Sequence, residues 1–274
     1  MEIGFVGLGW IGLPMARRIE SSEHSLHVWA RSSASIEPFA NGPALTEISL
    51  AALGESCEIV GVCVRDDAAV EDVLVTRGLL AAMRPGGVIV IHSTVHPDTC
   101  RRLAKAGDAR GVMVIDAPVS GGPWAAEAGE LAVMVGADPK TFERCLPMLK
   151  TFGGFVRLIG PVGAGQSAKL INNLLTTATV GLLFEIFELC DGLGLDHQAI
   201  QETLTAGSAD SRMLRIHPDL SQERARQGAP LLRKDVAIIS ELVESRGLRV
   251  SALETASKKA VESMTALGEG DRHM

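Results

Sequence analysis

The chain has 274 residues, 46% of them hydrophobic and 22% charged, and carries a net charge of −7. It is long and apolar enough to fold around a sizeable core, which sets aside a disordered chain, and its acidity excludes a nucleic-acid partner held through its phosphates. No window of membrane-spanning length is free of charge, Leu174 to Cys190 holding Glu185 and Glu188, so no membrane span is expected.

The first apolar run, Glu2 to Val6, passes directly into Gly7-Leu8-Gly9-Trp10-Ile11-Gly12 and then into Leu13-Pro-Met-Ala-Arg-Arg-Ile19. This is strand, glycine turn and helix: Gly7 permits the tight turn, Gly9 lets backbone approach a pyrophosphate, and Gly12 allows close packing of helix on strand. The unpaired amides at the helix start supply an anion site, and Pro14 falls in the first turn, where a missing N–H costs little. A second strand, Ser25 to Trp29, follows at βαβ distance. Beyond it stand Ala30-Arg31-Ser32-Ser33, with no carboxylate before Glu37. An acidic residue here would bind the 2′-OH of NAD; an arginine with hydroxyls suits the 2′-phosphate of NADP, so NADP(H) is expected over NAD(H), against the plainer alternative of a solvent-facing arginine.

Strand-like runs recur at Ile59–Val64, Val88–Ile91, Val112–Ile115, Leu131–Val135 and Phe155–Ile159. They are separated by helical or turn segments at Ala68–Leu74, Pro97–Ala106 and Asp138–Leu149. The alternation predicts a largely parallel sheet covered on both faces, with ligands outside the carboxyl ends of its strands. Two loops stand at those ends. His92-Ser93-Thr94-Val-His96-Pro97 follows one strand, and its histidines lack a third partner, so no metal is expected. Asp116-Ala-Pro118-Val-Ser120-Gly121-Gly122-Pro123 follows another, and Ser120 with two glycines offers a hydroxyl and unencumbered amides to a carboxylate. Trp124 either lines the same pocket or packs on the loop.

From Gly165 onward the strand pattern stops. Lys169 and Asn173 lie four residues apart, on one face of an apolar helix from Ser167 to Cys190. The plain alternative is a snorkelling lysine beside a surface asparagine; the chemical one is an acid/base lysine with an amide on the same substrate oxygen. The helix is apolar on nearly every face, which suggests burial between domains or subunits. Asp196 is read as the N-cap of a helix to Ala206, Ala229–Arg246 has helical spacing, and Ser251-Ala-Leu-Glu254 reads as a capping box opening a last helix to about Leu267. Ser208, Ser211 and Arg212 fall in an interhelical turn that could read the far end of a substrate. The fold class expected is α/β: a Rossmann-type doubly wound sheet over 1–162, then an all-α substrate and dimerisation domain over 163–274.

The chain has no tyrosine, which excludes a Tyr-x-x-x-Lys mechanism, and its five cysteines show no metal-ligand spacing. With no basic and apolar leader at the start, a cytoplasmic protein with reduced thiols is expected.

In order along the chain, Gly7 to Ala16, Ala30-Arg31-Ser32, Ser93-Thr94-Val-His-Pro97, Asp116 to Gly122, Gly160 to Asn173 and Lys234-Asp235 together resemble the motifs of the β-hydroxyacid dehydrogenase family, of the 3-hydroxyisobutyrate dehydrogenase type. Trp10, Ala30 and His92 stand where that family commonly has Met, Asn and Asp. Pro123-Trp124 is bulkier than the family's usual small residues, which bears on the substrate rather than the reaction. The resemblance implies a hydride exchanged between nicotinamide and the carbon bearing a β-hydroxyl. It implies Lys169 as acid/base with a lowered pKa and Asn173 on the reacting oxygen. Ser120, Gly121 and Gly122 would take the carboxylate of a small-molecule substrate, with Thr94 on the opposite wall. Gly7, Leu8, Gly9, Trp10, Ile11, Gly12, Arg31, Ser32, Val64, Thr94 and Lys234 would serve the cofactor. A homodimer or homotetramer is implied as well. Imine reductases share the architecture but typically lack the lysine, and a non-catalytic cofactor-binding scaffold would usually have lost it.

Overall fold

Runs of β-branched and apolar residues at both pleat positions leave a strand no face for water, and in the first half of the chain such runs become the interior of a sheet. The structure, a computed structural model, describes residues 1–217 and 221–270. It divides into two units, 1–169 and 170–274, the division falling between Lys169 and Leu170.

In the first unit, nine described strands form one sheet: β1 (Glu2–Val6), β2 (Ser25–Trp29), β3 (Leu45–Thr46), β4 (Ile59–Val62), β5 (Val88–Ile91), β6 (Met113–Asp116), β7 (Val119–Ser120), β8 (Ala132–Gly136) and β9 (Phe155–Gly160). The order is β3-β2-β1-β4-β5-β6-β8-β7, with β9 also pairing β8. The pairs from β3 to β6 are parallel, as is β8 with β9, while β8 runs antiparallel to β6 and β7. The sheet is thus largely parallel and has the 3-2-1-4-5-6 order of a dinucleotide-binding fold. Helices α1 (Gly12–Glu20), α6 (Gly122–Ala128) and α7 (Pro139–Phe152) cover one face; Met15, Ile19, Ala126, Met148 and Phe152 share a core there with Ile3, Phe5 and Val28. Helices α2 (Leu50–Ser56), α3 (Asp67–Glu71), α4 (Leu79–Ala82) and α5 (Pro97–Asp108) cover the other, packing Leu53, Val70, Leu79 and Leu103 on Val60, Val62 and Ile89.

Strand β4 stops at Val62, short of the expected Val64, because the Val64 amide leaves the ladder and donates to Ser93 Oγ at 2.8 Å. The helix expected over Ala68–Leu74 is α3 continued as a π-helical turn over Asp72–Thr76.

The register sets the functional edge. Trp29, Val6, Val62, Ile91 and Asp116 stand in one row across five strands. The segments that follow them, with Arg31, Gly7, Val64, Ser93 and Ala117, therefore emerge together at the carboxyl edge, where this fold class places its ligands.

Helix α8 (Ala164–Leu193) starts in the first unit and runs on into the second, which also holds α9 (His197–Ala206), α10 (Arg212–Ile216), α11 (Gln222–Ser245) and α12 (Ser251–Glu269). Apolar clusters join them: Phe184 with Ala225, Ala229, Met264 and Leu267, and Leu170 and Leu174 with Ile239 and Val243. Asp196 caps α9 as its spacing predicts, its carboxylate accepting from the Ala199 amide. Two helix starts differ from expectation. α11 begins at Gln222 rather than Ala229, because the Ser221 hydroxyl caps it and Pro230 is accommodated within the helix. The Ser251–Glu254 capping box does not form: Val250 is the N-cap and Ser251 is already helical.

Candidate active site

The turn after β1 is shaped by what its glycines exclude. Gly7 has φ +95, and a Cβ there would lie 2.1 Å from the Cys63 carbonyl oxygen; one on Gly12 would lie 1.9 Å from the Gly7 oxygen. A Cβ on Gly9 would meet nothing within 4 Å, so the turn is tight beneath and open above. Ile11 caps α1 without a side-chain hydrogen bond, and the Leu13 amide donates to the Gly9 carbonyl oxygen at 2.9 Å. Gly9 and Trp10 are exposed, Leu8 and Ile11 half-buried. A glycine turn at a helix start, closed to side chains below and open above, fits a dinucleotide pyrophosphate. Arg31 and Ser32 are exposed beyond β2, at the same edge. Val64 is half-buried and fixed to Ser93.

The Ser120–Gly122 loop lies beside this turn. Gly121 (φ +139) and Gly122 (φ +77) hold consecutive backbone conformations that L side chains avoid. Trp124, just beyond, meets Trp10 edge-on with ring centroids 6.1 Å apart; both indoles are more than half exposed. Trp124 therefore does more than pack on its own loop: it joins the Ser120–Gly122 loop to the glycine turn.

His92 is fully enclosed between Phe5 and Phe152, and its Nδ1 lies 2.8 Å from the Ala117 carbonyl oxygen. Burial pushes its pKa down to about 4, against the smaller opposing effect of that backbone bond. A neutral His92 donates from Nδ1 and holds the start of the Asp116–Gly122 segment to the end of β5. His96 instead caps α5, its Nδ1 accepting from the Asp98 amide, while its own amide donates to Asp67 Oδ1. Among the described residues no three His, Cys, Asp or Glu side chains gather as a metal would need. All five cysteines are free thiols.

Sequence inspection gave Asp116 and Gln166 no role. Asp116 is fully buried at the end of β6 and accepts from the Gly163 amide at 2.6 Å and the Gln166 amide at 2.7 Å. Gln166, also fully buried, accepts from the Val95 amide at 3.1 Å through Oε1 and donates through Nε2 to the Ser93 oxygen at 2.8 Å. The half-buried Thr94 lies between those two anchors, and Lys169, only 9% exposed, lies three positions beyond Gln166 on α8. In the sequence Asp116 opens the Asp116–Gly122 motif and Gln166 stands three positions before Lys169, which marks both segments but neither partner.

Asn173, one turn after Lys169, is 9% exposed; its Nδ2 donates to Asp235 Oδ2 at 2.5 Å and its Oδ1 accepts from Asn172 Nδ2 at 3.1 Å. Asp235 is buried on α11 and forms an ion pair with Lys234 Nζ at 2.8 Å. The charged triplet Arg233-Lys234-Asp235 is thus not simply a solvated face. Ser211 is occupied as the N-cap of α10, its hydroxyl accepting from the Leu214 amide; Arg212 is exposed.

A 3-2-1-4-5-6 sheet with such a turn at its switch point defines a dinucleotide-binding fold. Comparison with known proteins narrows the class. Residues 2–160 match the family described as the NAD binding domain of 6-phosphogluconate dehydrogenase, and residues 163–274 match that described as NAD-binding of NADP-dependent 3-hydroxyisobutyrate dehydrogenase. The chain is 33% identical to 2-hydroxy-3-oxopropionate reductase of Escherichia coli over 79% of its own length and 74% of the relative's. It shares its fold with the 3-hydroxyisobutyrate dehydrogenase of Mycobacterium tuberculosis solved with L-serine, with TM-score 0.85 and 24% identity over 97% of this chain and 94% of that one. Psf3, solved with NADP+ and 2-OPP, superposes with TM-score 0.81 and 26% identity, covering 98% of this chain and 94% of that one. The chain belongs to the β-hydroxyacid dehydrogenase family of the 3-hydroxyisobutyrate dehydrogenase type, and is an NAD(P)-dependent oxidoreductase acting on CH–OH groups.

Proposed function

We propose that the protein interconverts a small β-hydroxyacid and its semialdehyde or ketoacid, with NADP(H) as preferred cofactor and Lys169 as general acid/base. The observation that carries this is a buried lysine one helical turn before an asparagine whose carboxamide is oriented by a buried aspartate. A nicotinamide dinucleotide held at the Gly7–Gly12 turn would supply the hydride acceptor in oxidation and the hydride donor in reduction. In oxidation Lys169 Nζ, neutral at that moment, takes the hydroxyl proton as the C–H bond on the same carbon breaks; in reduction it returns that proton to the carbonyl oxygen. An amide nitrogen carries two N–H groups, and Asn173 gives one to Asp235; the other is assigned to the reacting oxygen. Ser120, Gly121 and Gly122 take the carboxylate, with Thr94 on the opposite wall. Lys234, paired with Asp235, is assigned to the cofactor.

Support for NADP(H) comes from the exposed Arg31 and Ser32 after β2, where no carboxylate stands, and from the NADP+ bound by Psf3. An apolar row on α8 supports self-association as a dimer or tetramer. The test follows reduced nicotinamide by absorbance, with NADP+ or NAD+ and a panel of 3-hydroxyisobutyrate, glycerate, 3-hydroxypropionate, serine and 3-hydroxybutyrate. Turnover of one acid, faster with NADP+ and losing that preference in Arg31→Asp, is expected. Tight cofactor binding with no turnover of any acid would overturn the proposal. Turnover of cyclic imines would then assign C=N reduction.

A further inference from the structure

Lys169 must meet a substrate held by loops that leave three different strands, so something has to fix the start of α8 against those loops. Two buried side chains, neither given a role in binding or chemistry above, span that gap. The Asp116 carboxylate, at the end of β6, closes on the amides of Gly163 and Gln166 and so caps α8 from outside the helix. Its surroundings admit nothing larger than glycine: a Cβ on Gly136 would lie 2.3 Å from Asp116 Oδ1, and one on Gly165 would lie 2.8 Å from Oδ2. The Gln166 side chain then joins the same helical turn to Ser93 and Val95 on either side of Thr94, and Ser93 Oγ in turn accepts from Val64. One connected set of buried hydrogen bonds therefore links the ends of β4, β5 and β6 to the turn that carries Lys169.

We propose that Asp116 and Gln166 are positioning residues, which lock the first turn of α8 to the strand ends so that Lys169 and Thr94 are set as one rigid body. This rests on the assignment of Lys169 as acid/base. Neither residue touches substrate or cofactor in this account; each acts through the helix it holds. A carboxylate can accept both amides, whereas a protonated carboxyl turns a donor toward one of them. Burial raises the pKa of Asp116 to about 6, against the lowering effects of the Gly163 and Gln166 amides and, more weakly, of the Arg101 guanidinium. The other titratable group that acts on it, the Cys100 thiol of α5, is kept neutral by burial. The cap is held by the ionised carboxylate above about pH 6; below that Asp116 takes up a proton that the closed site binds more tightly than an opened one, so protonation does not by itself open the cap.

Gln166→Glu supplies a test that a purely structural role would not meet. Protonated, the new carboxyl is nearly isosteric with the amide and can still donate to the Ser93 oxygen and accept from Val95. Ionised, it sets a charge against the Ser93 oxygen. The kcat of Gln166→Glu, with whichever panel acid turns over fastest, should be about tenfold below wild type at pH 8. It should recover toward wild type as pH falls to 6, with KM changing less than kcat. Gln166→Leu, unable to make either bond, should show the loss at every pH. Hydrogen exchange of the full-length protein without ligands needs no substrate. Amides within 163–169 should be protected at pH 7.5 and unprotected in Asp116→Asn and Gln166→Leu.

Lys169→Ala run in parallel separates the two levels. If it keeps wild-type turnover, the acid/base assignment falls and the exchange experiment alone judges the lock. If it is inactive while Gln166→Glu and Gln166→Leu keep wild-type kcat at every pH, the positioning proposal falls and the acid/base assignment stands. Unchanged exchange over 163–169 in Asp116→Asn or Gln166→Leu would overturn the lock directly.

Discussion

The two units bury their polar groups and their apolar surface differently. In the first, the buried polar side chains at the carboxyl edge bond to backbone: Asp116 to two amides, Gln166 to an amide and a carbonyl, His92 to a carbonyl, Ser93 to an amide. In the second, the central buried contact joins two side chains, Asn173 and Asp235. Backbone partners are set by the main-chain path of the segments at the strand ends, while side-chain partners depend on two helices keeping their relative position. The apolar surface shows the same contrast. The first unit encloses both faces of its sheet, and its large exposed apolar residues are scattered among loops and edges. In the second, Ile171, Leu175, Leu182, Ile186, Leu189 and Leu193 form a spaced row along α8, while Leu195, Ile216, Leu231 and Leu248 stand apart from it. α8 is also long and apolar enough to span a membrane by length and composition, and half of its most apolar window is buried within the structure. A unit that closes its own core can present a binding turn alone; a unit with a row of exposed leucines and isoleucines is suited to a partner, which we take to be a second copy of the chain.

Substitutions in the glycine turn should break the first unit most severely. Gly12→Ala drives a Cβ into the Gly7 oxygen, and should cost about 3 kcal/mol in denaturant unfolding and abolish dinucleotide binding. Gly9→Ala points its Cβ into open space, so unfolding should change by less than about 0.5 kcal/mol while cofactor affinity falls. Equal stability losses in the two variants would contradict the picture of a turn closed below and open above.

In the second unit, Asp235→Ala leaves the Asn173 amide without its carboxylate partner. A drop of about tenfold in kcat is expected, with thermal unfolding checked alongside. On α8, Leu175→Glu with Leu182→Glu should shift the sedimenting species toward monomer, and an unchanged oligomer would show that the row is not an interface.

The smallest effect belongs to the far edge of the sheet in the first unit. There His27 lies between Glu47 and Glu2, at 2.7 Å from each. Burial disfavours its charged form, but the two carboxylates outweigh this and raise its pKa. A histidine whose folded pKa is raised contributes stability that is complete below the ordinary value of about 6.5 and fades as pH climbs through the higher folded value. The melting temperature should therefore decline modestly over that interval in wild type and less in Glu47→Gln.

The parallel strands could be placed from sequence to within a residue or two, because buried strands are written as continuous apolar runs and the glycine turn marks the first crossover. β3 and β7 could not, being too short to show a period. Helix starts in the second unit were less legible. Ser221 outcompetes the later apolar periodicity as the start of α11, and Ser251 resembles a cap yet lies inside α12. At the site, Lys169, Asn173 and Ser120–Gly122 stood out as polar or glycine interruptions of apolar sequence. Asp116, Gln166 and Asp235 did not reveal their roles, since their partners are amides and side chains many positions away along the chain.

The most direct test of the central claim is single-turnover oxidation of the preferred β-hydroxyacid by wild type and Lys169→Ala, each saturated with NADP+. A rate about 100-fold or more lower is expected in Lys169→Ala, with cofactor affinity nearly unchanged. A variant that turns over at close to the wild-type rate would contradict the role given to Lys169.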